Sequence, residues 1–521
     1  MQFDRQSQAE TPLLDALWEC ANKHHAPFYA PGHKQGKGIS QRLSDRFGVD
    51  VFRADLPELP ELDHLFAPQE AILAAQQLAA AAFGAEKTWF LVNGSTCGVE
   101  AAILATCAPG DKIIIPRNVH YSAIAGLILS GAVPIFVYPE YDPSLEIAHS
   151  ITLDGVASAL AQHPDAKAVM MVYPTYYGVC GDISAIASLT HQYNIPLLVD
   201  EAHAAHFAFH PELPTPALTA GADLSVQSIH KVLGAMTQAS MLHVQGNRVN
   251  TDRVTKALQL LQSTSPSYIL LASLDAARQQ MALQGKELMA RTLQLADDAR
   301  NRISQIPKLS VLQLQEKTPG FVALDRTRLT VTVSGLGLTG FEADEILHQE
   351  LGVTAELPSL QHLTFIITLG NTKSDIERLV QAFTTLARMR SEGVEGAEGA
   401  EGEKPFTTHH SPLASVQTRY IASLPLATHH SPLTTPPFIL HPSLTPREAF
   451  FAPTETLPIE QTSDRISAEL VCPYPPGIPV LIPGEVITPE AIDYLQKIKT
   501  LGGYISGCAD PNLNHLKVVE T

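Results

Sequence analysis

At 521 residues, with 45% hydrophobic and 17% charged positions, the chain is long enough for more than one buried core and is neither fibrous nor disordered in composition. Its 35 Lys and Arg against 53 Asp and Glu leave a net charge of −18, a field that repels polyanions and attracts small cations, which argues against a nucleic-acid partner. The six cysteines form no CxxC pair, acids stand where a leader needs a basic start and an apolar core, and no run of about 18 apolar residues occurs. These features predict free thiols, a cytoplasmic protein and no membrane span.

From residue 88 to 245 short β-branched runs alternate with helical segments. TWFLV (88–92), KIIIP (112–116), VPIFVY (133–138), AVMMVY (168–173), IPLLVD (195–200), DLSVQS (223–228) and SMLHV (240–244) read as buried strands, with helices over 97–107, 121–130, 154–162 and 183–193. That alternation predicts an α/β fold, a mainly parallel sheet covered on both faces, with ligands at the carboxyl ends of the strands. Residues 275–390 read as a smaller α+β domain, with strands in TRLTVTVS and LTFIITL and helices in FEADEILHQEL and KSDIERLVQAFTTLARM. Residues 391–440 hold the acidic run EGVEGAEGAEGE and two copies of THHSPL (408–413 and 428–433), a composition expected of a linker or insertion. The paired histidines have no carboxylate or thiolate at ligand spacing, so no metal site is assigned. A C-terminal α+β unit, 441–521, contains PYPPGIPVLIPGE and the helical PEAIDYLQKIKTLG, and residues 1–274 form the N-terminal segment and large domain.

Chemistry gathers at the strand ends. Lys231 closes SVQSIHK after one strand and Asp200 closes IPLLVD. Each alone is an ordinary charged residue. Together, across a sheet top, they are the pair pyridoxal 5′-phosphate (PLP) requires, an amine to form an imine with the aldehyde and a carboxylate to keep the pyridine nitrogen protonated. NGSTCG (93–98) lies between a strand and a helix, where Ser95, Thr96 and the first helical amides suit a phosphate dianion, although Ser and Thr are also common N-caps. Ser228 and His230 flank the lysine as further phosphate donors. His120, after KIIIP, suits stacking on the cofactor ring, with a capping or core histidine as the plain alternative. His203 follows Asp200 in DEAHAAH, near the expected phenolic oxygen; no GxxxxGK[ST] loop accompanies this DEAH, so a helicase reading fails.

With these motifs the chain resembles the Orn/Lys/Arg decarboxylases, fold-type I PLP enzymes. The likeness runs through PGHKQGKG (31–38), LPELPELDHL (56–65), FLVNGSTCG, PRNVHYSA, YPTYYGV (173–179), VDEAHAAHF, SVQSIHKVLGAMTQAS, STSPSYILLASLD (263–275) and PYPPGIPVLIPGE. It implies an aspartate aminotransferase-like large domain, with Lys231 as Schiff-base lysine, Asp200 as pyridinium partner, His120 as stacking residue and Ser95, Thr96, Ser228 and His230 around the phosphate. By the same resemblance, Thr264 or Ser265 in STSPSY reaches the partner subunit's phosphate, so a homodimer or higher homo-oligomer shares its sites. With only about thirty residues before PGHK, the chain resembles the short biosynthetic type of the family, and the 391–440 insertion departs from its pattern. The implied reaction is decarboxylation of a basic amino acid, arginine to agmatine by analogy with the short type, with lysine and ornithine as alternatives. Glu485, in the PGE of the C-terminal motif, is the acid nominated for the substrate's distal cation, an exposed loop glutamate being the plain alternative. An aminotransferase and a catalytically silent PLP-binding regulator are the competing functions.

Overall fold

The computed structural model describes residues 6–395, 443–474 and 477–520. Seven strands build the central sheet: β1 (Lys87–Leu91), β2 (Lys112–Pro116), β3 (Val133–Val137), β4 (Ala168–Val172), β5 (Leu197–Asp200), β6 (Leu224–Gln227) and β7 (Ser240–Val244). Their order is β1-β7-β6-β5-β4-β2-β3, parallel from β6 to β3, with β7 running against both its neighbours.

Side chains alternate along each strand and both faces are covered, as their continuous apolar runs require. Leu197 and Val199 of β5 enter one core with Val169 and Met171 of β4, while Leu198 enters the opposite core with Ala168 and Met170. Each fully buried aliphatic side chain stabilises the fold by roughly 1.5–3 kcal/mol relative to exposure. The covering helices, Gly94–Thr106, Tyr121–Ser130, Leu153–Gln162 and Ile183–Gln192, occupy the segments expected from their patterns.

One helix, Tyr268–Ile303, runs without a break for 36 residues, about 54 Å at 1.5 Å per residue. The expected boundary at 274/275 therefore falls inside a helix. Up to Leu293 its apolar side packs on the central-sheet core, and from Leu295 to Ile303 it packs on a separate core with Leu329, Val331, Leu363 and Phe383. The periodicity never lapses along it, so the change of core left no mark in the local pattern. The second core lies on a four-stranded antiparallel sheet, in which Arg328–Thr332 and His362–Ile366 are central. Helix Gly340–Gln349 covers it behind a capping box of Thr339 and Glu342. The last helix of this unit, Lys373–Glu395, extends past the expected boundary at 390; the remainder of the 391–440 segment, from 396 on, lies outside the described residues.

The C-terminal unit pairs Thr454–Pro458 with His515–Val519 and packs helix Pro489–Thr500 onto Val471, Leu481, Leu516 and Val518. Ile482 joins the core of the central sheet instead, which seats this unit on the large domain. Among the described residues no helix is long and apolar enough to cross a membrane, and the six cysteines are free thiols.

Candidate active site

The carboxyl ends of β5 and β6 bring three polar residues together. Asp200 ends β5, opposite Val172 of β4 and Val226 of β6, and is 6% exposed; its Oδ1 accepts from the Ala202 amide at 3.2 Å. Lys231 sits in the short helix Ile229–Val232 that follows β6, and its Nζ lies 3.1 Å from His203 Nε2. His203 is 8% exposed, and its Nδ1 meets Nη2 of the wholly buried Arg328 at 2.7 Å. Burial holds Lys231 below the ordinary lysine range, with Asp200 opposing and Arg328 assisting. Burial likewise raises the Asp200 carboxyl, with Lys231 opposing, and keeps His203 far below the usual imidazole value.

The cradle beside them is the start of helix Gly94–Thr106. Gly94 turns at φ +75°, and Asn93 makes no side-chain cap, so no side chain of the N-cap residue occupies the first helical amides. Ser95 and Ser228 hydroxyls meet at 2.6 Å at this end, with Ser228 wholly buried and Thr96 half-buried on the same turn. Gly98 lets the helix lie this close to the sheet: a Cβ there would stand 2.6 Å from Val226 Cγ1 and 2.8 Å from Leu91 Cδ1. Hydroxyls and amides at a helix N-terminus suit a dianion.

His120 caps helix Tyr121–Ser130 by accepting from the Ser122 amide, with Ser122 Oγ 2.9 Å from Nδ1, so the capping alternative holds. Burial first, then the charge of Lys231, lowers its pKa to about 3, which puts the imidazole within the field of the lysine as well. The C-terminal unit reaches this histidine: the Gly477 carbonyl accepts from the Tyr121 amide at 3.0 Å, and a Cβ on Gly477 would be 3.2 Å from His120 Nε2. His230 is half-buried and lowered to about 4 by burial and Lys231, and its backbone amide donates to the Ala239 carbonyl at 3.2 Å. Thr264 and Ser265 are exposed on the loop before helix Tyr268–Ile303; their neighbour Ser263 donates its amide to Asn93 Oδ1 at 3.3 Å, so this loop leaves from the rim of the cradle.

Glu485 is not at a site mouth. It is 0% exposed, and its two oxygens accept from Arg117 Nε at 2.8 Å and Nη2 at 2.7 Å. A carboxylate committed on both oxygens to a buried guanidinium has no free face for a substrate, so Glu485 is a structural partner of Arg117 rather than the acid that meets the distal cation.

Three residues of the site went unread in the sequence. Arg328 reads as part of a strand in TRLTVTVS, and Tyr176 carries no distinguishing signal inside YPTYYGV. Nothing local marked Glu356. The Tyr176 ring packs edge-on against His203 at 4.6 Å, and its hydroxyl donates to Glu356 Oε1. Glu356 is exposed, and its charge acts on both Lys231 and Arg328.

A family model of the Orn/Lys/Arg decarboxylase major domain matches residues 11–327, and one of the Orn/Lys/Arg decarboxylase C-terminal domain matches residues 429–509. The second match begins inside the segment read as an insertion. The chain is 40% identical to an arginine decarboxylase of Bacillus subtilis over 516 residues, 99% of each chain, and 38% identical to one of Bacillus anthracis over 99% of this chain and 98% of that one. Among solved structures, Francisella novicida lysine decarboxylase LdcF superposes with a TM-score of 0.79 at 22% identity over 99% of this chain and 82% of that one. Lysine decarboxylase A of Pseudomonas aeruginosa gives the same score and identity over 99% and 81%. These structures share the fold-type I architecture described above. The chain belongs to the Orn/Lys/Arg decarboxylase family.

Proposed function

We propose that this protein decarboxylates L-arginine to agmatine and CO2 with PLP held on Lys231. The observation that carries the reading is the convergence of an amine, Lys231, and a buried acid, Asp200, at adjacent strand ends beside the Ser95–Ser228 cradle. The donor set fits PLP. Lys231 Nζ suits the aldehyde, Asp200 the pyridine nitrogen, Ser95, Thr96, Ser228 and the open helix start the phosphate, and His120 one face of the ring. His230 stands beside this set as a further donor to the phosphate. When bound, the cofactor supplies an electron sink for the bond that breaks.

The chain's residues do the rest. With the cofactor bound, Asp200 would keep the ring nitrogen protonated from its buried position. Lys231 would then yield to the substrate's α-amine and, with His203 beside it, would hold the proton destined for Cα. Glu356, open to solvent and gripped by Tyr176, is the acid offered to the distal guanidinium in place of Glu485. Support for arginine comes from four relatives that bear the name arginine decarboxylase, 37–40% identical over 92–99% of this chain. Two relatives named for lysine are at 24–26%, as is one named biodegradative arginine decarboxylase, at 25%.

The active unit is read as a homodimer, with Thr264 and Ser265 on their exposed loop serving the neighbouring site, and the free thiols fit a cytoplasmic enzyme. The reading is tested by offering the PLP-loaded protein arginine, lysine and ornithine separately and comparing kcat/KM. Arginine is expected to lead. Cadaverine or putrescine as the preferred product overturns the substrate, and an α-keto acid product overturns the reaction.

A further inference from the structure

Arg328 comes from the first central strand of the small domain, yet it makes its side-chain hydrogen bonds inside the large domain. Among the described residues both go to His203, from Nη2 to Nδ1 at 2.7 Å and to the backbone carbonyl at 3.3 Å. Nε and Nη1 are buried without a hydrogen-bond partner, with Asp325 Oδ2 at 3.8 Å from Nε as the nearest counter-charge. The stem is seated against Gly178, where φ is +87° and a Cβ would stand 2.8 Å from Arg328 Cβ. A fully buried guanidinium held this tightly, with its hydrogen bonds on one histidine, sets the state of that histidine.

The donor inventory then fixes two protons. A guanidinium only donates, so His203 Nδ1 is an acceptor and a neutral ring carries its hydrogen on Nε2. That hydrogen faces Lys231 Nζ at 3.1 Å. An ammonium has no lone pair with which to accept it; a neutral amine has one. The opposite tautomer would set an Nδ1–H against a guanidinium N–H at 2.7 Å. We infer that Arg328 is a positioning residue that locks His203 as the Nε2–H tautomer and thereby holds Lys231 as a neutral, nucleophilic amine. The small domain thus contributes to the readiness of a lysine that belongs to the large domain.

Burial of Lys231 works in the same direction. Among the described residues Arg328 is the one cation acting on it against the two carboxylates Asp200 and Glu356, the histidines 120, 203 and 230 beside it are held neutral, and burial is the larger effect that keeps the amine below its ordinary range. The step served is capture of the cofactor: Nζ attacks the aldehyde carbon, a C=N bond replaces C=O, and the oxygen leaves as water with the two amine protons. The inference rests on Lys231 being the anchor.

The test measures how fast apoprotein captures PLP as a function of pH, by borohydride fixation and mapping of the labelled lysine. Removing the positive charge and donor of Arg328 frees His203 and Lys231 to protonate, so in Arg328→Met the acid limb should move up by about one pH unit or more. Arg328→Lys, which keeps charge and a donor, should stay near the wild-type midpoint. His203→Gln should shift the midpoint upward on its own, and Arg328→Met should add little in that background. An unmoved midpoint in folded Arg328→Met, or an equal shift with His203 already replaced, overturns the inference. If Arg328→Met does not fold, His203→Gln decides, and a wild-type midpoint there overturns it. Label on a lysine other than 231 refutes the anchor instead, which keeps the two failures apart.

Discussion

Arg117 and Glu485 form a two-pronged ion pair, Nε to Oε1 at 2.8 Å and Nη2 to Oε2 at 2.7 Å, with both side chains removed from water. Arg117 also donates to the carbonyls of Pro479 at 2.9 Å and Val480 at 3.1 Å, so one side chain clamps the C-terminal unit to the loop that carries His120. Removing one partner leaves the other charge buried. Glu485→Gln is expected to cost about 3–5 kcal/mol in a denaturant titration, while Arg117→Met with Glu485→Leu recovers much of the loss. A Glu485→Gln protein as stable as wild type would contradict the pairing.

Glu356 is the acid proposed for the role that Glu485 cannot fill. Glu356→Gln is expected to raise KM for arginine by an order of magnitude or more, about 1.4 kcal/mol per tenfold, while PLP occupancy stays near wild type. An unchanged KM would remove Glu356 from substrate recognition.

Asp200 is proposed to act through charge at a buried position. Asp200→Asn keeps the shape and loses the charge, so kcat should fall by about 10²-fold or more, the scale of losing one preorganised electrostatic partner, with some cofactor retained. Near-normal turnover would place the pyridine nitrogen elsewhere.

His243 gives the fold an acid limit. It is 0% exposed on β7, between Thr88 Oγ1 at 2.8 Å and Gln227 Oε1 at 3.2 Å, and burial lowers its pKa from 6.5 to about 3. Below 6.5 the unfolded chain takes up a proton that the folded chain refuses, so stability is fully present above 6.5 and drains away as pH falls toward 3. The slope is about 1.4 kcal/mol per pH unit for this group. Glu201, raised to about 7 by burial, works in the opposite direction between 4.5 and 7, so the comparison with His243→Gln isolates the histidine. Unfolding free energies from pH 6 to 4 should fall less steeply in that variant. Parallel slopes would show that His243 protonates in the native state.

What could be read in advance was whatever local pattern encodes. All seven strands of the central sheet follow from short β-branched runs between helical segments, and Asp200 and Lys231 follow from lying just at or beyond strand ends. The pairs that complete the site are far apart in sequence. Arg328 and His203 are separated by 125 positions and Arg117 and Glu485 by 368, and no periodicity links such residues. A buried arginine on a strand reads as an edge or surface residue until its partner is known. The switch of cores along Tyr268–Ile303 was illegible for a related reason, since helical periodicity reports which side is buried and not what it is buried against.

The measurement closest to the central claim is turnover of carboxyl-labelled L-arginine by the PLP-loaded wild type and by Lys231→Ala. The expected result is labelled CO2 and agmatine in equal amounts from the wild type, and neither from Lys231→Ala, which should also lack a borohydride-fixable cofactor. Agmatine and CO2 formed at a comparable rate by Lys231→Ala, or no CO2 from the wild type with any of the three basic amino acids, would contradict the account.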